Sequence, residues 1–345
     1  MNALRIESTR GDQVESVHAV SVAVTDASGR LIAQSGDPEL VTFWRSAAKP
    51  FQAWPAVADG AADRFNLADD ALALACASHS SERVHLDVAE RMLHHIGLGE
   101  DALACGPHPP LGPAVAEMVA RSGLSLTPRW SNCSGKHACM LALALHHDWP
   151  TKGYERSGHP AQDRITESVS EWTGVAREEL RFGVDGCTAL CFGLPLTGMA
   201  RAYARLGGNE DVSLRRLAEA MLAHPNLVGG SGRFCTELMV QWPGDVIAKV
   251  GAEGIYCAAL PRYGLGIALK IEDGDMRSAP AALLGVLRQV GAHAGMDLAP
   301  LDALQRAAEP VIFNTRGEVT GALRAAGTLR FSAGAVRAAG SSGSR

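Results

Sequence analysis

The chain has 345 residues, a formal net charge of −5, 47% hydrophobic and 20% charged residues. That is length and apolar content enough for a sizeable core, and ordinary for a globular enzyme. Mild acidity without a Lys/Arg run excludes a nucleic-acid groove. No stretch reaches the ~18 uncharged apolar residues of a membrane span.

In chain order, the amino terminus "MNALRIESTRGDQ" lacks an apolar core, so no secretory signal is read there and a cytoplasmic location is expected. Residues 17–34, "VHAVSVAVTDASGRLIAQ", predict two strands around a turn from Asp26 to Gly29. A mostly helical middle follows. Apolar residues recur at helical spacing in "DDALALACASHS", "SERVHLDVAERMLHHIG", "GPAVAEMVARSG", "KHACMLALALHHD", "AQDRITESVSEWTG" and "VSLRRLAEAMLAH". Strand character returns in "DVIAKVGAEGIYCAAL" and "YGLGIALKIEDG". Residues 280–295 read as a helix, and "PVIFNTRGEVTG" as a strand or hairpin. The expectation is a single α/β (α+β) domain over residues 1–335, with an antiparallel sheet built from both chain ends and helices grown from the middle. Residues 336–345 are expected to be a disordered tail.

Three stretches suggest chemistry. "TFWRSAAKPFQ" places Ser46 and Lys49 three apart, on one face if the turn is helical. A lysine amine made neutral by burial or by a nearby cation such as Arg45 can take a serine proton. Pro50 biases Lys49 away from helical angles unless the helix begins close to Ser46. "CASHSSE" offers Ser78, and "IAKVGAEG" puts Lys249 on a late strand. The order S-x-x-K, a short serine element, then a K-x-G strand is that of serine acyl-transfer enzymes of the penicillin-binding group. The plainer alternative makes Ser78 a helix cap and Lys249 a solvated strand charge. "GGSGR" at 229–233 misses the nucleophile elbow because Arg233 stands at the last glycine.

The eight cysteines read as buried thiols, metal ligands or nucleophiles rather than disulfides. "WSNCSGKHACM" offers Cys133, Lys136, His137 and Cys139; "GVDGCTALC" offers Asp185, Cys187 and Cys191. Zinc suits such donors, but the spacing matches no zinc finger or ribbon. A site of four cysteines (133, 139, 187, 191) stays open, beside a reading of Cys139 and Cys191 as core.

Taken together, "RSAAKPFQ", "CASHSSE", "NCSGKHACM", "DGC", "GGSGRF" with "TELM", and "KVGAEG" resemble the Rhizobium etli type (class 3) L-asparaginases, the asparaginase II family. The resemblance runs from about Val17 to the final strand region. It implies a fold like that of serine β-lactamases and glutaminases, a homodimer, and hydrolysis of L-asparagine to L-aspartate and ammonia. It implies the pairs Ser46 with Lys49 and Ser78 with Lys249, and one zinc ion per chain on Cys133, Lys136, Asp185 and Cys187. In that scheme Lys49 activates Ser46 as nucleophile, with the reverse assignment to Ser78 open. Arg45, Ser231 and Arg233 are the candidates for holding the substrate's α-carboxylate, and His79 is a candidate proton shuttle or an orienting histidine. Glutaminase or β-lactam-type acyl transfer, a zinc-stabilised binding protein, and a thiol enzyme on Cys133 or Cys187 are the competing readings. A protein of the resembled kind needs neither a nucleic-acid nor a membrane partner.

Overall fold

The computed structural model describes residues 2–208 and 210–333; the tail expected to be disordered lies outside them. From the amino end come strands β1 (Arg5–Arg10), β2 (Gln13–Asp26) and β3 (Leu31–Ser35). The middle contributes β4 (Val41–Phe43), β5 (Arg181–Val184) and β6 (Leu190–Pro195). The late segment supplies β7 (Ile247–Val250), β8 (Ile255–Leu260), β9 (Leu265–Ile271), β10 (Val311–Phe313), β11 (Val319–Ala326) and β12 (Arg330–Phe331). The main sheet runs β10-β11-β1-β2-β9-β8-β7, with β3 and β12 beside the far half of β2, and its pairs are antiparallel. The sheet is therefore made from both chain ends, with β2 (Val24 opposite Ile267) joining them.

Alternation along the strands sorts side chains onto two faces. On β8, Ile255, Cys257 and Ala259 join the core under the helical layer. Tyr256, Ala258 and Leu260 join the core on the opposite face, with the helix Ser278–Ala294. Burial on both faces explains why β9 reads as one apolar run. Gly266 in that run is needed for close approach: a Cβ there would stand 1.9 Å from the carbonyl oxygen of Ala200 on the covering helix Leu196–Leu206.

The helical layer holds Lys49–Ala58, Asp69–Ala75, Ser134–His146, Pro160–Thr173 and Val212–Ala223. Ser134 to Ala144 is buried without a break, which is what an almost uniformly apolar helix requires. The turn at Asp26 is closed by the N–H of Gly29 donating to the Asp26 carbonyl (3.0 Å) and that of Ser28 to its carboxylate (3.0 Å).

Several elements were not foreseen, among them the following. β1 is short and lacks clean alternation; it is stabilised by neighbours on both sides. The sheet β4-β6-β5 is made of strands of 3, 6 and 4 residues. The helix Leu196–Leu206 is flanked by glycines and proline that mask its start and stop. No helix among the described residues is long and apolar enough to cross a membrane.

Candidate active site

Three elements meet at one cavity of about 370 Å³ lined by Ser46, Ser78, Arg45 and Arg233, and by Cys133, Asp185 and Cys187. Ser46 sits in a 3-10 turn, Arg45–Ala48, directly after β4, and Lys49 opens the helix that follows, with Pro50 in its first turn. Proline is tolerated there because that N–H has no helical partner to lose. Ser78 comes just past the helix Asp69–Ala75, with its N–H donating to the Val228 carbonyl at 3.0 Å. Lys249 lies on β7 two residues after Ile247, so its side chain faces the helical layer.

Both lysine amines go to Ser78. Lys49 Nζ donates to Ser78 Oγ (3.0 Å), to the Ala77 carbonyl and to the Asn132 carbonyl (3.5 Å). Lys249 Nζ lies 2.8 Å from Ser78 Oγ and 2.8 Å from the Val250 carbonyl. Three acceptors around Lys49 match the three donors of an ammonium. Burial, with Lys49's charge second, pulls Lys249 down from 10.5 to about 7, into the range where a neutral amine is populated. The structure thus brings together Ser78 and Lys249, the pair that the family resemblance implied. Lys49, by contrast, extends into the core instead of turning back to its sequence neighbour. Among the described residues Ser46 Oγ makes no hydrogen bond, and it faces the cavity.

The backbone around the cavity is unusual. Arg45 (φ 53°), Ser81 (φ 59°), Thr188 (φ 75°) and Glu253 (φ 55°) occupy the left-handed region without being glycine. Each such residue costs of the order of 1–3 kcal/mol, and this kind of strain gathers at functional sites. The close approach at Gly251 is of another kind. A Cβ would meet the Ile255 side chain at 2.8 Å and the Trp44 carbonyl at 3.2 Å, so the K-x-G glycine lets β7 press against the segment that carries Ser46.

The "SHSSE" stretch is a scaffold. His79 is fully buried, with Nε2 2.9 Å from Ser134 Oγ and Nδ1 accepting the Ser81 N–H at 3.2 Å. Burial first, then the charges of His85 and Lys49, press its pKa well below the usual histidine range, so it stands neutral. It is turned away from the cavity lining, which favours the orienting role over the shuttle. Ser80 Oγ donates to the Gly229 carbonyl (2.9 Å), and Glu82 accepts the Ser231 N–H (2.6 Å). These bonds pin the glycine loop so that Arg233 lines the cavity, while Ser231 is exposed and held by Glu82 rather than placed in the lining. Among the described residues Arg233 has no ion pair or side-chain hydrogen bond.

The thiols form the adjoining wall. Lys136 Nζ lies 2.9 Å from Cys187 Sγ, both buried, and Cys133 Sγ is 2.9 Å from Asn132 Oδ1. A hydrogen bond from the Cys133 thiol, helped by Lys136, outweighs burial and holds Cys187 as the thiolate. That same bond, with burial, pushes Cys133 up. Burial works to lower Lys136, but the Cys187 thiolate, Cys133 and Asp185 together raise it. Asp185 Oδ1 instead accepts from Arg45 Nε (3.0 Å) and from the Gly186 N–H (2.8 Å). His137 has its Nδ1 2.7 Å from the Tyr154 hydroxyl. All eight cysteines are free and buried, and Cys139 belongs to the core under the helical layer.

For zinc, two thiols and an amine gathered at one buried spot are the right chemistry. Among the described residues no three His, Cys, Asp or Glu side chains are spaced to hold a metal. As the residues stand, the Lys136 amine is paired with Cys187 and Asp185 with Arg45, so a zinc ion would have to displace both pairings. Asn132, which touches both Lys49 and Cys133, was missed from sequence, although it stands in the polar turn "SNCSG"; Glu253, also in the lining, lay unmarked in "KVGAEG".

The class of protein that these features and the family match define together is an amidohydrolase. More narrowly, residues 6–325 match the model of the family L-asparaginase II, and the chain belongs to that family. No curated protein matches the sequence. Among solved structures the chain overlaps a putative beta-lactamase from Bacteroides dorei DSM 17855 at 11% identity, covering 84% of this chain and 94% of that one, with a TM-score of 0.40. It overlaps the protein Mglu at 17% identity, 79% and 66% coverage and a TM-score of 0.35. A mutant of the simvastatin synthase LOVD from Aspergillus terreus gives 10% identity, 73% and 86% coverage and a TM-score of 0.33. These overlaps are slight, and the assignment rests on the family match.

Proposed function

We propose that the protein hydrolyses L-asparagine to L-aspartate and ammonia through a seryl acyl-enzyme. The observation that carries this reading is Ser78 Oγ held between two buried lysine amines, at 3.0 Å and 2.8 Å, in the lining that also presents Ser46. Ser46 is the nucleophile: its hydroxyl is uncommitted and open to the cavity, and it leads into a helix whose N-terminal end favours developing negative charge. Ser78 passes the Ser46 proton to Lys249, which is neutral in a large fraction near pH 7. Lys49, donating to Ser78 Oγ, stabilises that oxygen while it is deprotonated. The proton returns by the same route to the leaving ammonia, and water then releases aspartate. Arg233, with Arg45, binds the α-carboxylate by charge-assisted hydrogen bonds.

Zinc, when bound, would be held by Cys133, Lys136, Cys187 and Asp185, and would tie together the loops that shape the cavity. A second reading makes Ser78 itself the nucleophile, favoured by its direct contact with both amines. Ammonia release measured with asparagine, glutamine and a chromogenic β-lactam tests the substrate. Turnover of asparagine well above the other two supports the reading; preference for either of the others replaces it. One methylene is worth only about 1–3 kcal/mol, so a glutamine side activity of a few per cent is expected.

A further inference from the structure

We infer that Glu253 is the anchor for the substrate's α-ammonium group, so that the site selects amides of α-amino acids over amides that lack the amine. On the asparagine reading above, on which this rests, the substrate brings two opposite charges into the cavity. Arg233, with Arg45, meets the carboxylate, and the ammonium needs an anion. Among the described residues the cavity lining holds two carboxylates, Asp185 and Glu253. Asp185 is committed, with Oδ1 accepting from Arg45 Nε (3.0 Å) and from the Gly186 N–H (2.8 Å). The Glu253 carboxylate has no hydrogen bond or ion pair among the described residues. Arg45 and Lys270 lie near enough to feel its charge, but both point elsewhere. Arg45 donates to Asp185. Lys270 Nζ directs its three donors at the carbonyls of Glu253 (2.6 Å), Ile271 (2.5 Å) and Glu272 (3.5 Å).

The backbone also singles out this side chain. Glu253 and Gly254 are the central pair of the turn that joins β7 to β8, closed by the Ile255 N–H donating to the Ala252 carbonyl (3.3 Å). Both have positive φ, 55° and 74°. Turns of that kind favour Asn, Asp or Gly at the first central position. Glutamate gains nothing there from the turn itself. The conformation is imposed by its surroundings: Lys270 grips the Glu253 carbonyl, and the Gly251 N–H donates to the Ile255 carbonyl (2.8 Å). Gly274 leaves the carboxylate room, since a Cβ there would stand 2.9 Å from Glu253 Oε2. A side chain that its turn disfavours, uncommitted and in the lining of a cavity that must take a cation, is there for a ligand.

The test uses the full chain. Calorimetry compares L-aspartate with succinate, the same dicarboxylate without the amine, and ammonia release compares asparagine with succinamate. The unmodified protein binds L-aspartate about 10- to 100-fold more tightly than succinate, as one charge-assisted contact allows. Glu253→Gln and Glu253→Asn bring aspartate down to the level of succinate and raise KM for asparagine by a similar factor. Both leave succinate binding unchanged, which is the check on folding, because a misfolded variant loses both ligands. Glu253→Asn also melts no lower than the unmodified protein, since asparagine suits the turn.

Three results would overturn the inference: succinate and aspartate bound equally by the unmodified protein, discrimination retained in Glu253→Gln (another group then holding the ammonium), or a clearly lower midpoint in Glu253→Asn, which would give the glutamate a structural reason to be there. The asparagine reading fails separately. Another α-amino acid amide turned over in preference, and weakened by Glu253→Gln, would overturn the substrate and leave Glu253 as the anchor. Asparagine hydrolysed by Glu253→Gln at unchanged KM would do the reverse.

Discussion

The pH dependence of turnover follows from where Lys249 sits. Its amine is fully buried, 2.8 Å from Ser78 Oγ and close enough to Lys49 to feel that charge, and the two effects bring it from 10.5 to about 7. Only the neutral amine accepts a proton. About one molecule in ten is competent at pH 6, about half at pH 7 and about nine in ten at pH 8. The log of kcat/KM for asparagine therefore rises with a slope near one below pH 7 and levels above it. An ordinary lysine would carry that limb up to about pH 10. Substituting Lys249→Met removes the base and with it the limb, and slows turnover by about 10²–10⁴-fold. The same shift has a sign in stability. Between pH 7 and 10.5 the unfolded chain holds a proton on Lys249 that the folded chain does not, so this group makes stability rise with pH across that window. Stopped ammonia assays from pH 5 to 10, with circular dichroism melts over the same range, read both. A limb that persists in Lys249→Met, or one centred near pH 10, would refute the assignment of Lys249 as the base.

Other outcomes are equally specific. Ser46→Ala and Ser78→Ala each reduce kcat by about four orders of magnitude or more if the two hydroxyls act as a unit, and the double variant loses hardly more than either alone; simple additivity in a double-mutant cycle would contradict this. Chelation of zinc raises KM for asparagine more than it lowers kcat, and a collapse of kcat at unchanged KM would show the ion acting in the chemical step. Gly135→Ala places a Cβ 2.4 Å from the Leu74 carbonyl oxygen, where two helices of the catalytic layer cross. It should cost about 1–3 kcal/mol, seen as a lower thermal midpoint, and an unchanged midpoint would mean that the helices part freely.

How far the sequence could be read depended on what each signal measures. Alternation in β2 and period-3.6 runs in the helical middle were legible because burial on one side leaves a pattern, while β7, β8 and β9, buried on both faces, were legible as apolar runs between glycine turns. β1 and the sheet β4-β6-β5 were not, since strands this short are specified by their neighbours. At the site, the spacing of Ser46 and Lys49 located the right turn but not the right contact. Whether Lys49 reaches back to Ser46 or forward to Ser78 depends on the packing of the helix Asp69–Ala75 against it, a long-range fact. Likewise "CASHSSE" looked chemical as a whole, yet His79, Ser80 and Glu82 fix loops, and Ser78 alone of its residues lines the cavity. The Arg45–Asp185 ion pair has no local sequence signature, because residues 45 and 185 meet only through folding.

Rapid quenching of the protein during turnover of asparagine, followed by peptide mass spectrometry, bears most directly on the central claim. An aspartyl group esterified to Ser46, absent from Ser46→Ala, is the predicted result. The same group on Ser78, on Cys133 or on Cys187, or steady-state turnover with no covalent adduct on any side chain, would contradict it.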